Sequence, residues 1–444
     1  MQAERTHLII PAILAVVVLT VSACGHSSPD ATGPSTTATA TTTAADEPGV
    51  FGDVGAICSP GTGTPAPSDV RGVTDSEIRI GVLNDAGNTL APGLGANYPK
   101  VAKAFADWCN EAGGINGRKI VITDRDAKLF DAASVVVDAC KSDFMLVGGG
   151  AALDEPTIEP REKCKLGSIP ALNASYADQI SKYSAVVGRT SPTESNWGLF
   201  RLLEPTYRDA FEQIGILALD TPDVRTAYEH FQKALESKGL KVTSFQAISQ
   251  NLDNVRTYVQ PLVGKSRALV LAFPAPEIFQ AMTDVGYSPD VVVDQGSVFS
   301  NNAAVDDLAQ VPLDAPVYSA ITTYPLDRAA DNPTAAKLVQ LEKAAFGKAD
   351  QANVTPWITW LLFAKSASAC KVLTVDCVIE HATADRAYTA GGLTAPVDMT
   401  DPSKVNRCLA ATKVSAKGIV YDAKLTDPDT GPFNCDPANV IPIP

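Results

Sequence analysis

From Glu77 onward the chain alternates short apolar runs with amphipathic stretches, and the alternation breaks off and restarts once, after Ser191. The runs before the break are Ile78–Leu83, Ile120–Thr123, Phe144–Val147 and Ile169–Leu172. Those after it are Ile214–Leu219, Val242–Phe245, Ala268–Ala272, Val291–Val293 and Val317–Ile321. Runs this short read as buried strands. Helical periodicity lies between them: Val101, Phe105 and Trp108 share one face, Val135-Val136-Val137 closes a second helix near Cys140, and Arg225–Lys238, Asn254–Val263 and Pro276–Val285 follow. A further helix, Thr334–Phe346, precedes the apolar stretch Pro356–Ala369. Strands alternating with helices specify a parallel sheet covered on both faces, so the expected fold class is α/β with two such units. In open sheets of this kind ligands bind beyond the carboxyl ends of the strands. Two facing sheets would hold a ligand in the cleft between them.

The first 72 residues follow other rules. Arg5 and His7 precede an apolar run, Leu8–Val21, that is long enough for a signal-peptide core and short for a membrane span. The run ends Val21-Ser22-Ala23-Cys24-Gly25, which resembles the lipobox of bacterial lipoproteins. That resemblance implies cleavage after residue 23 and acylation of Cys24, giving a lipid-anchored protein on the extracytoplasmic face of the cell membrane. The other reading is a plain signal peptide with Cys24 left free. The Thr/Ala/Pro-rich stretch from Ala31 has no apolar periodicity, so residues 24–72 are expected to form a disordered tether, with Cys58 pinning its end to the folded body. The formal net charge is -14, which disfavours nucleic acid and anionic surfaces as partners.

Setting Cys24 aside leaves eight cysteines, an even number that suits disulfides in an oxidising compartment. Proximity in sequence favours Cys58 with Cys109, Cys140 with Cys164, Cys370 with Cys377, and Cys408 with Cys435. No CxxC pair occurs, and the histidines after Cys24 (His26, His230 and His381) are read as standing apart from the cysteine clusters, so neither a metal nor a cofactor is expected.

Five segments, in order, resemble the type I periplasmic binding proteins, in particular the branched-chain amino acid and amide receptors of ABC importers. Thr74-Asp75-Ser76-Glu77-Ile78-Arg79-Ile80-Gly81-Val82-Leu83 is similar to the first strand, and Asn110-Glu111-Ala112-Gly113-Gly114-Ile115-Asn116-Gly117-Arg118 to the end of the first helix. Val147-Gly148-Gly149-Gly150 resembles the ligand loop after the third strand. Arg189-Thr190-Ser191-Pro192 resembles the passage into the second lobe, and Trp357-Ile358-Thr359-Trp360 a helix that returns to the first. The resemblance implies two Rossmann-like lobes joined by three hinge crossovers, near Arg189–Pro192, Ile321–Pro325 and Asp385–Leu393. Lobe 1 would comprise 73–190 and 323–390, and lobe 2 would comprise 191–322 and 391–444. It further implies a monomeric receptor that captures a small organic solute (amino-acid-like, amide or organic acid) and delivers it to the membrane subunits of an ABC importer. The same fold serves as the sensing subunit of signalling receptors, and the sequence leaves that alternative open.

Strand-end position nominates the ligand residues: Asn84, Asp85, Gly149, Gly150, Ala151, Ala152, Asn173, Ser175 and Tyr176 in the first lobe, and Asp220, Phe273 and Gln295 in the second. The glycine run either offers backbone N–H groups to a carboxylate or amide oxygen, or is simply a turn needing positive φ. Tyr176 and Phe273 either wall the pocket or are an ordinary loop tyrosine and a core aromatic. The chain departs from the amino-acid receptors. Ala151 and Ala152 stand where hydroxyls are usual, Gln295 where an acid usually holds the ammonium, and Val224-Arg225 where a Tyr-Gly pair is usual. A neutral amide holds a buried cation poorly. The expected ligand is therefore a neutral amide, an aromatic or other organic acid, or a modified amino acid, with Arg189 or Arg225 either serving an acid or lying at the surface. No enzyme is expected. There is no Gly-x-Ser-x-Gly elbow, Gly264-Lys265-Ser266 has Val259 where a P-loop needs glycine, and Gly93-Leu-Gly95 lacks the third glycine of a dinucleotide fingerprint.

Overall fold

A computed structural model of the chain describes residues 47–89, 93–220, 222–249, 252–294 and 299–443. The signal segment 1–23, Cys24, the tether up to residue 46 and the candidate ligand residue Gln295 lie outside the described residues.

Strands β1 (Glu77–Asn84), β2 (Lys119–Asp126), β3 (Met145–Val147) and β4 (Gly167–Ile169) form a parallel sheet in the order β2-β1-β3-β4. Strand β5 (Glu194–Asn196) opens the second half of the chain. It is followed by β6 (Ile214–Leu219), β7 (Val242–Ile248), β8 (Ala268–Leu271), β9 (Val291–Asp294), β10 (Val317–Ile321), β11 (Ala410–Ser415) and β12 (Gly418–Tyr421). These seven build a second sheet in the order β12-β11-β10-β9-β8-β6-β7. It is parallel from β7 to β10, with β11 and β12 added antiparallel at one edge. Strand β13 (Val440–Pro442) returns to pair with β5. The antiparallel pair β11–β12 escaped the sequence reading. Thr412, Lys413 and Ser415 interrupt β11 and β12 has no buried residue, so the pair carries no continuous apolar run.

The motif after the first helix shows how local chemistry sets this architecture. Helix Tyr98–Glu111 buries Val101, Ala102, Phe105, Ala106 and Cys109 at helical spacing. Asn110 then clamps the next strand by both amide ends, donating to Ile120 O at 2.9 Å and accepting from Ile120 N at 2.7 Å. Gly114 has φ +81°, and a Cβ there would collide with Arg118 O, so the tight return into β2 requires glycine.

The first core gathers Phe105, Trp357 and Trp360 with β1 and β3. Helix Val354–Ala369 is buried nearly all round, which explains its unbroken apolarity. Among the described residues no helix is long and apolar enough to cross a membrane. The expected tether ends earlier than its composition suggested. Phe51 is fully buried in this core, edge-on to Trp108 and tilted against Trp357, and Arg71 donates to Asp143 O at 2.6 Å. One aromatic anchor and the Cys58–Cys109 disulfide dock residues 47–72 in spite of their turn-rich sequence. The other disulfides join Cys140 to Cys164, Cys370 to Cys377 and Cys408 to Cys435.

Three segments run between the two cores. Thr322–Tyr324 pairs with Leu393–Ala395 through Tyr324 N–H to Leu393 O (2.7 Å) and Ala395 N–H to Thr322 O (2.9 Å). Leu393, Val397 and Met399 still belong to the first core, so the chain leaves it after Met399, beyond the expected Asp385–Leu393 passage. Arg189 bolts the remaining segment to the same place. Its Nη1 donates to Asp398 O and Asp401 O, both at 2.6 Å, and its Nε to Val186 O at 2.9 Å. It is therefore not available as the cation for an acidic ligand.

Glu342 is a buried acid in the first lobe, accepting from Trp357 Nε1 and from Asp350 N, each at 2.9 Å. Desolvation outweighs these bonds and pushes its pKa from 4.5 up to about 7. The folded state thus holds the proton more tightly than the unfolded state. The resulting stabilisation is complete below about pH 4.5 and is lost as pH rises through 7. Urea denaturation from pH 4.5 to 8 should show wild type losing about 3 kcal/mol relative to Glu342→Gln, which cannot ionise. Parallel pH profiles for the two proteins would refute this.

Candidate functional site

Between the two sheets, beside the paired crossing segments, lies a cleft with a cavity volume of about 200 Å³. Its walls come from four parts of the chain that meet only in the fold. Tyr98 starts the first helix of lobe 1, Ala171 follows β4, and Ser300 follows β9 of the second sheet. Ile321, Thr322 and Thr323 belong to a crossing segment, while Gln351, Ala352, Thr355 and Pro356 lead into the buried helix. Apart from the Tyr98 phenol, none of the described lining residues is ionisable. Burial, reinforced by Asp85, pushes the Tyr98 phenol up to about 12, so its hydroxyl is neutral and keeps its proton.

Asp294 ends β9 fully buried, accepting from Phe299 N at 2.8 Å and from Ser319 Oγ at 2.7 Å. Ser319 has one proton and gives it to Asp294. In its 2.8 Å contact with Ser300 Oγ, Ser300 must therefore be the donor. The lone pairs of Ser300 are left to accept a proton from the cleft. On the opposite wall Gln351 Nε2 donates to Thr323 Oγ1 and to Tyr324 O, each at 2.9 Å, and Gln351 Oε1 accepts from Leu326 N. Thr323 accepts there and retains its own proton to donate. The cleft thus combines an acceptor, Ser300, with hydroxyl donors, Tyr98 and Thr323.

Of the candidate residues within the described chain, none lines this cleft, and most are committed inside the protein. Asn84 donates to Val82 O and Asp124 Oδ1 and accepts from Ala86 N. Asp85 accepts from Leu129 N (2.8 Å) and Ala152 N (2.7 Å), tying two loops to β1. Gly149 and Gly150 are required for close packing, since a Cβ would collide with Leu83 O in one case and Leu172 O in the other. Gly150 N–H is spent on Leu83 O, so this donor does not reach a ligand. Ala151 is buried against Leu83, Ala127 and Ala132. Asn173 donates to Asp154, Ser175 O and Asp178, and Ser175 caps the short helix Tyr176–Gln179, whose half-buried first residue is Tyr176. In the second sheet Asp220 pairs with Arg225 at 2.5 Å, both side chains about half exposed. Phe273 packs on the core of that sheet.

The residues that do line the cleft were missed for a physical reason. Strand-end position cannot nominate Tyr98, which opens a helix, or Gln351, which lies in the turn before one, whereas Thr322 and Thr323 directly follow β10 and were read only as part of a crossover. Asp294, one residue before Gln295, was the legible signal: an acid closing an otherwise apolar strand.

Residues 77–418 match the family described as Periplasmic binding protein. No curated protein matches the sequence. Solved structures with the same fold include a fatty acid ABC transporter substrate-binding protein from Thermomonospora curvata, with TM-score 0.64 and 20% identity over 79% of this chain and 92% of that one. The branched-chain amino acid transporter substrate-binding protein of Streptococcus pneumoniae, in complex with isoleucine, gives 0.62 and 14% over 78% and 100%. A solute-binding protein of an ABC transporter from Rhodopseudomonas palustris BisB5, in complex with 3,4-dihydroxybenzoic acid, gives 0.62 and 14% over 78% and 95%. The family and these structures are binding proteins, not enzymes.

Proposed function

The chain belongs to the periplasmic binding protein family, and from that premise we propose that it is an extracytoplasmic receptor that captures a small, uncharged, amide-bearing organic solute between its lobes and hands it to an ABC importer. The wall chemistry carries the reading. Ser300 is held as an acceptor by the Asp294–Ser319 relay, Tyr98 and Thr323 are donors, and the described lining has no charged side chain. An amide presents one N–H and one C=O and matches such a set. A zwitterion or free acid would bury a charge without a counter-ion. Lipid anchoring through Cys24 is supported by the Ser-Ala-Cys sequence at the end of the apolar run.

Thermal-shift measurements on matched acids, primary amides and amino acids test this. A ligand at 100 times its Kd adds about 2.7 kcal/mol, a rise of a few degrees in Tm. Amides should stabilise the protein where the corresponding acids do not, and Ser300→Ala should abolish the difference. Stabilisation by zwitterionic amino acids alone would overturn the amide assignment. No response across the panel would overturn capture itself.

A further inference from the structure

The cleft is closed on one side by a direct contact between the lobes. Asn302 is the first residue of helix Asn302–Gln310 in the second lobe. Its backbone N–H donates to the two carboxylate oxygens of Asp350 in the first lobe, at 3.2 and 3.3 Å, and its Nδ2 donates to Ala349 O at 3.1 Å. The carboxylate sits at the positive end of the helix, where the free N–H groups and the dipole favour an anion. Asp350 is mounted firmly. Its own N–H donates to Glu342 Oε2 at 2.9 Å, and its Oδ1 accepts from Ala352 N at 3.1 Å.

Position gives this contact its meaning. Ser300, two residues before Asn302, and Gln351, next to Asp350, are opposite walls of the cleft. On the other side, Asn302 and Asp350 line a second cavity of about 330 Å³ with Asn97, Lys100, Phe346 and Lys348. The contact therefore stands between an inner chamber and an outer vestibule. The neighbouring Lys348–Asp306 pair, at 4.0 Å and well exposed, adds little.

We infer that Asp350 and Asn302 form the latch that holds the lobes shut over the inner cleft. The inference rests on the cleft being the solute site. Rotation about the crossing segments separates the second-lobe helix from the first-lobe turn. These hydrogen bonds must break on opening, while the pairing of Thr322–Tyr324 with Leu393–Ala395 stays intact. The latch also biases the protein toward closure without a ligand, because its bonds need none.

Asn302→Pro is the sharpest test. Proline suits the first position of a helix, and Asn301 before it is already extended (φ -149°, ψ 163°). The substitution deletes both donors while Asn301 still caps the helix through Ala304 N. Asp350→Ser is a second variant that keeps a capping oxygen for Ala352 N but is too short for Asn302. Asn302→Pro loses both bonds, which corresponds to a roughly tenfold fall in the closed-to-open ratio, and Asp350→Ser, which leaves the Nδ2 bond to Ala349 O, to a smaller fall. Small-angle X-ray scattering of the solute-free protein should show both variants with a larger radius of gyration than wild type, at unchanged helical circular dichroism. Scattering identical to wild type in both variants would overturn the latch. The readout uses no ligand, so a failed solute panel with expanded variants would sink the solute assignment and leave the latch standing.

Discussion

Asp178→Ala should cost about 3–5 kcal/mol of folding stability, measured by urea denaturation at neutral pH. Asp178 is the counter-ion of Arg161, whose side chain is only 1% exposed inside the first lobe. Burial pulls the Arg161 pKa down to about 10 in spite of nearby Asp154 and Glu162, so the guanidinium is still charged at pH 7. Its remaining side-chain partner is Ser184 Oγ at 3.2 Å, a hydroxyl that also donates to Asp178. Alanine at 178 therefore leaves a buried cation without its closest anion, and strips one acceptor from Asn173 as well. The double variant Arg161→Met/Asp178→Leu, which removes both charges, should recover most of the loss. A single-variant cost under about 1 kcal/mol, the level of an exposed pair, would show that water screens this site.

Trp360→Ala should be comparably severe, about 3–5 kcal/mol. Trp360 is fully buried, stacked on Phe105 with centroids 5.2 Å apart and edge-on to Phe363 at 5.8 Å. It also shapes the loop after β3. Gly148, with φ +74°, lies so close to the indole that a Cβ would collide with Nε1. That Nε1 is buried with no hydrogen-bond partner among the described residues. Trp360→Phe keeps the stacking and relieves an unpaired donor, so it should cost well under half as much as alanine. Equal losses for the two variants would mean that the indole nitrogen contributes a bond through an ordered water.

The elements were legible because their signals are local. Periods of 2 and 3.6 residues, an asparagine-glycine turn and the proline that opens a helix act within a few residues of themselves. Helix Pro276–Val285 and strands β6 and β10 have the bounds that pattern assigns. Where a segment's fate hangs on one distant contact, pattern failed. Residues 47–72 look like linker, yet Phe51 finds a slot between Trp108 and Trp357, far along the chain.

The sequence by itself determined the two alternating α/β units and the family resemblance, because short-range periodicity and motif order carry these. Only the tertiary structure decided which polar groups are free to meet a solute. Asn84 and Asp85 stand at a strand end exactly where a ligand residue belongs by position, but their hydrogen bonds are consumed by Asp124, Leu129 and Ala152, tens of residues away. Ser300 becomes an acceptor only because Ser319 and Asp294, on neighbouring strands, fix the direction of its proton. Hydrogen-bonding capacity is finite for each atom, and how it is shared depends on neighbours in space, to which neighbours in sequence are no guide.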